Sequence, residues 1–211
     1  LTSYPAARCV RILNPLSADL NVMRQTLLFN TMEAVQLNAN RRNGNLRLYE
    51  FGNCYFYDEA ARDAEKPLSA YSEQYRLAIA VTGAAVPQSW NAKPQASSFF
   101  TLRAVAEKLL RRFGLDIYAL KCEPLQSDLF GDGISLSAGN GRELLQMGVV
   151  APRIRRAFDL KQEVYYLEMN FDALVKSTRK HRIAFEELSK FPEVKRDLAL
   201  LVDRQVTFAQ L

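Results

Sequence analysis

Histidine and cysteine, the residue types most often found in nucleophilic and metal sites, are scarce in this chain of 211 residues. His181 is the only histidine and lies in a basic run, so a catalytic triad or a multi-histidine metal site would lack a partnered imidazole. Cys9, Cys54 and Cys122 are far apart without C-x-x-C spacing, which fits a reducing compartment and argues against a zinc knuckle or a disulfide framework. These residues predict neither a metal site nor a catalytic one.

Two glycine-rich stretches, Gly131-Asp132-Gly133 and Gly139-Asn140-Gly141, invite interpretation as phosphate-binding loops. A Walker loop needs Gly-Lys-Ser/Thr at the start of a helix, and a dinucleotide loop needs G-x-G-x-x-G between a strand and a helix. Neither pattern is present. Hairpin turns are the favoured interpretation, because such turns need residues that adopt positive φ.

Lysine and arginine number 28 against 23 aspartate and glutamate residues, a formal net charge of +5. This excess permits a polyanionic partner but is also common in ordinary globular domains. Exposed aromatic residues between the arginines, which would favour single-stranded RNA, are missing. Solvated or internally paired charges are therefore the alternative to an RNA-facing surface. The basic candidates for that surface are Arg153, Arg155, Arg156, Lys180 and Arg182.

The elements that must position these residues follow from hydrophobic periodicity. Apolar residues three and four apart predict a helix that ends near Arg41 and a second one over Phe99–Phe113. Helices inserted among antiparallel strands predict an α+β fold, and no apolar run approaches the ~20 residues of a membrane span. The predicted strands are Cys9–Leu13, Leu46–Tyr57 with a bulge at Gly52, Arg76–Gly83, Leu115–Glu123, Ile134–Ala138, Leu144–Val150 and Val164–Asn170, and a short helix begins at Phe171.

Two domains are predicted, 1–184 and 185–211. A polar, basic stretch separates them, and Leu198–Val202 beyond it has the pattern of a new strand. The last residues, Val206–Leu211, have the pattern of a helix that has only begun, and position 1 is leucine. We therefore expect the chain to be a piece of a longer protein.

Several stretches resemble the core domain of the β subunit of bacterial phenylalanyl-tRNA synthetase. They follow the family's order and cover essentially the whole chain, and the last is similar to the start of the ferredoxin-like anticodon-binding domain. The matching stretches are Val10–Ser17 with Met23–Leu28, Leu46–Gly52 with Tyr55-Phe56, Trp90 with Phe99–Leu110, and Ser189–Asp203.

The resemblance implies a class II aminoacyl-tRNA synthetase-like antiparallel β-sheet flanked by helices. Residues 1–184 would be a degenerate copy of the catalytic fold, and 185–211 the truncated start of the anticodon-binding domain. The implied partner is the α subunit of an α2β2 heterotetramer, which carries the chemistry, with tRNA(Phe) bound by the whole enzyme. The whole enzyme would use ATP and magnesium, whereas this fragment would bind neither. The protein would be cytoplasmic and would not associate with a membrane.

The class II motifs implied by the resemblance are not recognisable here. That chemistry needs an arginine in an Arg-x-Glu stretch and a Gly-rich motif ending in Glu-Arg, because guanidinium groups hold the phosphate charge. Arg47 and Glu50 have the wrong spacing, and Gly141-Arg142-Glu143 is reversed. We expect no catalytic residue in this chain.

By resemblance, the segment that begins at Met23 and the helix that follows it would pack against the α subunit. The alternative is that the same apolar face only covers the chain's own sheet, since the helical period fits both. Two rival functions also stay open: an active ATP-dependent ligase fragment, and a free-standing basic tRNA- or RNA-binding module. The interface candidates are Met23, Arg24, Leu27, Leu28, Met32 and Val35.

Overall fold

A six-stranded antiparallel sheet forms the centre of the first of two units in the computed structural model, Leu1–Arg179. The structure describes residues 1–179, 185, 187, 190–206 and 210–211. The strands are β1 (Leu46–Tyr57), β2 (Tyr71–Thr82), β3 (Ala84–Val86), β4 (Gln95–Ala96), β5 (Lys121–Pro124), β6 (Phe130–Ser137), β7 (Glu143–Val150) and β8 (Val164–Asn170).

The strand order in the large sheet is β1-β2-β8-β7-β6-β5, and β3 pairs with β4 in a separate small sheet. Helices cover both faces of the large sheet. The α+β class and the antiparallel sheet flanked by helices are therefore confirmed. The α-helices are α1 (Leu28–Asn40), α2 (Phe99–Arg112), α3 (Pro152–Ala157) and α4 (Phe171–Thr178).

Alternation along the strands assigns each side chain to one of the two faces. On β2, Ala78 and Ala80 pack with α1 and α3 on what we call the first face, whereas Leu77 and Ile79 pack with α2 and α4 on the second face. The sheet is thus buried on both sides, which explains why the centre of β2 is a continuous apolar run rather than an alternating one.

Helix α2 shows how local sequence sets an element's ends. Ser98 and Thr101 form a reciprocal capping box at its first turn, and Gly114, at φ +75°, follows its last residues. On its apolar face, Leu102 and Leu110 are fully buried against the second face of the sheet.

Four of the predicted local features are wrong. The stretch Leu115–Glu123, predicted as one strand, contains a 3-10 helix at Ile117–Ala119, and only Lys121–Pro124 form a strand. Gly52 is not at a bulge, since it pairs with Arg76 in unbroken register. The glycine leaves room for the Arg24 guanidinium, because a Cβ at position 52 would lie too close to that group. Gly131-Asp132-Gly133 lies within β6 rather than in a turn, because β6 and β7 approach closely there: a Cβ on Gly133 would lie 2.8 Å from the Met147 carbonyl oxygen. The predicted strand Cys9–Leu13 is reduced to one isolated bridge, between Arg11 and Val22.

The second unit, Lys180–Leu211, lacks the strand predicted over 198–202 in its described residues. Leu198 and Leu201 are almost fully exposed. A strand is stabilised by pairing with a neighbour, and none of the described residues pairs with this stretch. The helix predicted over Val206–Leu211 includes residues 207–209, which lie outside the described residues, so it stays a prediction. The domain boundary predicted between residues 184 and 185 also stays a prediction, because residues 180–184 lie outside the described residues.

No helix in the described part of the chain is long and apolar enough to cross a bilayer.

Candidate functional site

A buried polar cluster lies on the first face of the sheet, on strands β2 and β8. We call it the Arg76–Glu168 cluster; it also contains Thr26, Tyr166 and Tyr4. Arg76 and Glu168 come from neighbouring strands β2 and β8, on the same face, and form an ion pair. The Thr26 and Tyr166 hydroxyls each donate to the Glu168 carboxylate at 2.5 Å.

The ionisation of this cluster follows from its burial. Glu168 has 8% exposure, and its carboxylate also accepts the Leu27 N–H at 3.2 Å. Burial, together with the charge of Glu168, raises the pKa of Tyr166 well above its ordinary value and also raises that of Tyr4. Burial alone would lower the pKa of Arg76, but the Glu168 charge raises it above the ordinary value. Both phenols therefore stay protonated: the Tyr166 hydroxyl donates to Glu168, whereas the Tyr4 oxygen accepts a hydrogen bond from the Arg76 guanidinium at 3.4 Å.

This cluster lines a cavity of about 280 Å³ that is poorly suited to ATP. Arg76 is the only cation among the lining residues and is already paired, whereas Glu143 and Glu168 both line the cavity. A triphosphate would need unpaired guanidinium groups rather than a net negative wall. Among the described residues, no group of three histidine, cysteine, aspartate or glutamate side chains could hold a metal ion.

The stretches compared with class II motifs do not come together. Arg47 and Glu50 are an odd number of residues apart on β1 and so point to opposite faces. The Arg47 guanidinium donates to the Ala85 carbonyl at 2.9 Å. Gly141 adopts φ +77° in the turn between β6 and β7, as predicted for a hairpin, and Glu143 is the first residue of β7.

Four of the six interface candidates lie in the chain's own core. Leu27, Leu28, Met32 and Val35 are each 0% exposed and pack with residues of β1, β2 and β8. Helical periodicity left open whether this apolar face covers the chain's own sheet or another subunit, and in this chain it covers the sheet. Contact of the segment with the α subunit stays a prediction.

The other two candidates, Met23 and Arg24, are half-buried and line an open cavity of about 950 Å³. Arg24 forms an ion pair with Glu50 at 2.6 Å and donates through Nε to the Asn53 carbonyl at 3.0 Å. The Arg24 carbonyl accepts the Tyr55 N–H at 2.8 Å, which fastens the segment along the outer edge of β1. These two residues keep accessible surface.

The structure places the arginines Arg153, Arg155 and Arg156 together on α3, mostly in internal contacts. Arg153 forms an ion pair with Asp128 at 2.8 Å. Arg155 donates to two backbone carbonyls, at 3.2 and 3.1 Å, and Arg156 donates to the Pro152 carbonyl at 3.3 Å. Arg153 and Arg156 remain exposed. Lys180 and Arg182, like His181, lie outside the described residues.

Sequence reasoning missed Asp128 altogether. Its carboxylate accepts the Thr2 N–H at 2.6 Å and the Ser3 hydroxyl, and so anchors the first residues. Burial opposes ionisation, but the hydrogen bonds from Ser3 and Thr2 outweigh it and hold the pKa of Asp128 far below its ordinary value. No local signal could reveal this contact, because it joins residues 126 positions apart.

Solved structures share this fold. Two solved structures of pyrrolysyl-tRNA synthetase from Desulfitobacterium hafniense align with 81% of this chain and 53% of theirs, at a TM-score of 0.57 and 15% sequence identity. The fold is therefore that of class II aminoacyl-tRNA synthetases.

The family is more specific. The model of the phenylalanyl tRNA synthetase beta chain CLM domain matches residues 2–171. Phenylalanine–tRNA ligase beta subunits of Bacteroides thetaiotaomicron and Porphyromonas gingivalis are 46% and 38% identical to this chain over all 211 of its residues, which align with 26% of each relative. The chain belongs to the phenylalanyl-tRNA synthetase β chain family and spans about a quarter of the length of these relatives.

Proposed function

We propose that this chain is the core of a phenylalanine–tRNA ligase β subunit and acts as a structural module. The observation that carries the proposal is the match of the entire chain to β subunits. The whole enzyme would be a cytoplasmic α2β2 heterotetramer that attaches phenylalanine to tRNA(Phe), with ATP and magnesium used by the α subunit. Residues 1–184 would form the core domain, and 185–211 the start of the anticodon-binding domain.

A non-catalytic role is supported by the first face of the sheet. The side chains that fill it bind one another: the guanidinium of Arg76 is paired with Glu168. Charge stabilisation of a reacting phosphate requires donors directed at the ligand rather than at a neighbouring side chain. The chemistry would therefore be left to the partner subunit.

For the contact with the α subunit we propose the accessible part of the candidate segment, Met23 and Arg24, beside the large cavity they line. Half-buried apolar side chains beside an open cavity, such as Met23, are suited to becoming fully buried in an interface.

For tRNA we propose the exposed arginines of α3, Arg153 and Arg156, with Lys180 and Arg182.

The test is co-expression of the whole β subunit with its α subunit, followed by co-purification and aminoacylation assays. Met23→Asp should lower the recovered α subunit by about tenfold, the effect of ~1.4 kcal/mol of lost interface energy. Leu37→Asp is the matched control, because Leu37 is already 53% exposed on α1. Normal assembly of the Met23 variant would reject the interface.

Two further measurements separate the rival functions. The isolated chain should show no phenylalanine-dependent pyrophosphate exchange; exchange in the absence of the α subunit would identify an active ligase fragment. Filter binding of tRNA by the isolated chain, with a steep dependence on salt, would instead favour a free-standing RNA-binding module.

A further inference from the structure

Two neighbouring cavities lie at the N-terminal end of α2, where that helix begins over the second face of the sheet. One, of about 430 Å³, is lined by residues of β3 and β4 and by Ser97. The other, of about 460 Å³, is lined by Phe99, Phe100 and Asp132 among others. Glu163 and Tyr165 line both, so the two cavities adjoin, and we call them together the α2 groove.

The charged side chains that line the α2 groove are all acidic. Asp132 and Glu163 are exposed, and the lining of both cavities includes no lysine, arginine or histidine. The Tyr165 hydroxyl donates to Glu163 at 2.5 Å, which raises the pKa of Tyr165 to about 12. The Arg155 guanidinium, which affects Tyr165 electrostatically, is directed at the Val150 and Gln162 carbonyls. The groove therefore favours a cation over an anion.

Ser97 supplies an independent sign of a ligand. It is 7% exposed, and its hydroxyl is the only buried side-chain polar atom without a hydrogen-bond partner among the described residues. The helix cap does not need it, because Ser98 and Thr101 form the capping box. An unpaired buried hydroxyl is destabilising, so a ligand that pairs with it gains affinity.

The remaining walls are apolar. Phe100 is 72% exposed, and Phe99, Ile134 and Val149 line the same cavity. Aromatic faces next to carboxylates suit a cationic head on an aliphatic stem, because the stem contacts the rings while the head pairs with the carboxylates. Arginine and lysine side chains have this chemistry.

We propose that the α2 groove binds an extended polypeptide segment of another protein, which places an arginine or lysine side chain between Asp132 and Glu163. The two adjoining cavities support a polypeptide over a free amine, because a chain that continues past the basic residue can occupy both. Apolar neighbours of the basic residue occupy the walls around Phe99 and Phe100. This site is independent of the first face and of the proposed contact with the α subunit.

The test is calorimetric titration of the whole β subunit, and of the 211-residue chain, with the peptide acetyl-Gly-Leu-Arg-Leu-Gly-amide. Asp132→Asn and Glu163→Gln should each weaken binding by about fivefold, as expected for a partly exposed ion pair. Glu107→Gln is the matched control, since Glu107 lies on α2 and lines neither cavity; it should change nothing. Ser97→Ala should weaken binding while it stabilises the free chain, a combination that simple loss of folding would not produce.

Four results would overturn the proposal. The first is equal binding of a peptide with glutamine in place of arginine, and the second is equal binding of butylamine, which would indicate a small-molecule amine site. The third is binding of inorganic phosphate at the same place, which would indicate an anion site at the helix N-terminus. The fourth is binding by the 211-residue chain but not by the whole subunit, which would mean that another part of the same subunit covers the groove.

Discussion

Replacing Arg76 by methionine tests the account of the first face most directly. Methionine keeps a flexible apolar stem beside Phe56, over whose ring the Arg76 guanidinium lies at 5.2 Å. The variant leaves the Glu168 carboxylate without its cation but retains its hydrogen bonds from Thr26, Tyr166 and the Leu27 N–H.

The expected loss can be worked out from burial. The side chains of Arg76 and Glu168 are 18% and 8% exposed, so the pair counts as buried. Removing one partner of such a pair costs about 3–5 kcal/mol, because the remaining charge stays in the interior. The three retained hydrogen bonds place the expected value near the lower end, ~3 kcal/mol, which lowers the Tm by about 6–12 °C in a domain of this size.

Urea unfolding followed by circular dichroism measures the loss for Arg76→Met, Glu168→Gln and the double variant. The double variant should be more stable than Arg76→Met alone, because it removes the uncompensated charge. A loss below ~1 kcal/mol for Arg76→Met, or losses that simply add in the double variant, would refute a buried, coupled ion pair.

Two more predictions concern ionisable groups elsewhere. Because the folded-state pKa of Asp128 lies below its ordinary value of 3.8, its stabilising effect is present above that value and is lost as the pH falls below it. Asp128→Asn should therefore cost about 1–2 kcal/mol at pH 7 and flatten the fall in unfolding free energy below about pH 4; an unchanged pH profile would contradict this. Burial raises the pKa of Cys54 to about 12, so at pH 8 iodoacetamide should alkylate the exposed Cys122 at least ~100-fold faster. Comparable labelling, read by mass spectrometry of peptides, would show that Cys54 is accessible.

Local sequence patterns predicted a helix or strand correctly where its own residues determine which of the two it forms. Strand β1 begins and ends where alternation predicts, and α2 follows its capping and apolar periodicity. The turn at Gly139-Asn140-Gly141 was predicted correctly, but the similar triplet at Gly131 lies in a strand. The two triplets have the same local chemistry, and only the close approach of β7 distinguishes them.

The same limit applies to the candidate interface. The period of α1 establishes that one face of the helix is apolar, but not whether the chain's own sheet or another subunit covers it. Packing of Met32 and Val35 against β1, β2 and β8 assigns that face to the chain's own core. Half-buried Met23 and Arg24 could not be separated from them by periodicity, because burial depends on neighbours that are distant in sequence.

The sequence by itself therefore determined the long helix α2 and the strands with clear alternation, the α+β class and the family, since these depend on periodicity and on ordered motifs along the chain. Tertiary structure alone decided which polar and charged groups meet: Thr26 with Glu168 across 142 positions, Arg76 with Glu168 across 92, and Thr2 with Asp128 across 126. The physical reason is that hydrogen bonds and ion pairs act over a few ångströms, so the partners are set by strand register and layer packing. The spacing of residues along the chain does not show which distant residues come within hydrogen-bonding distance.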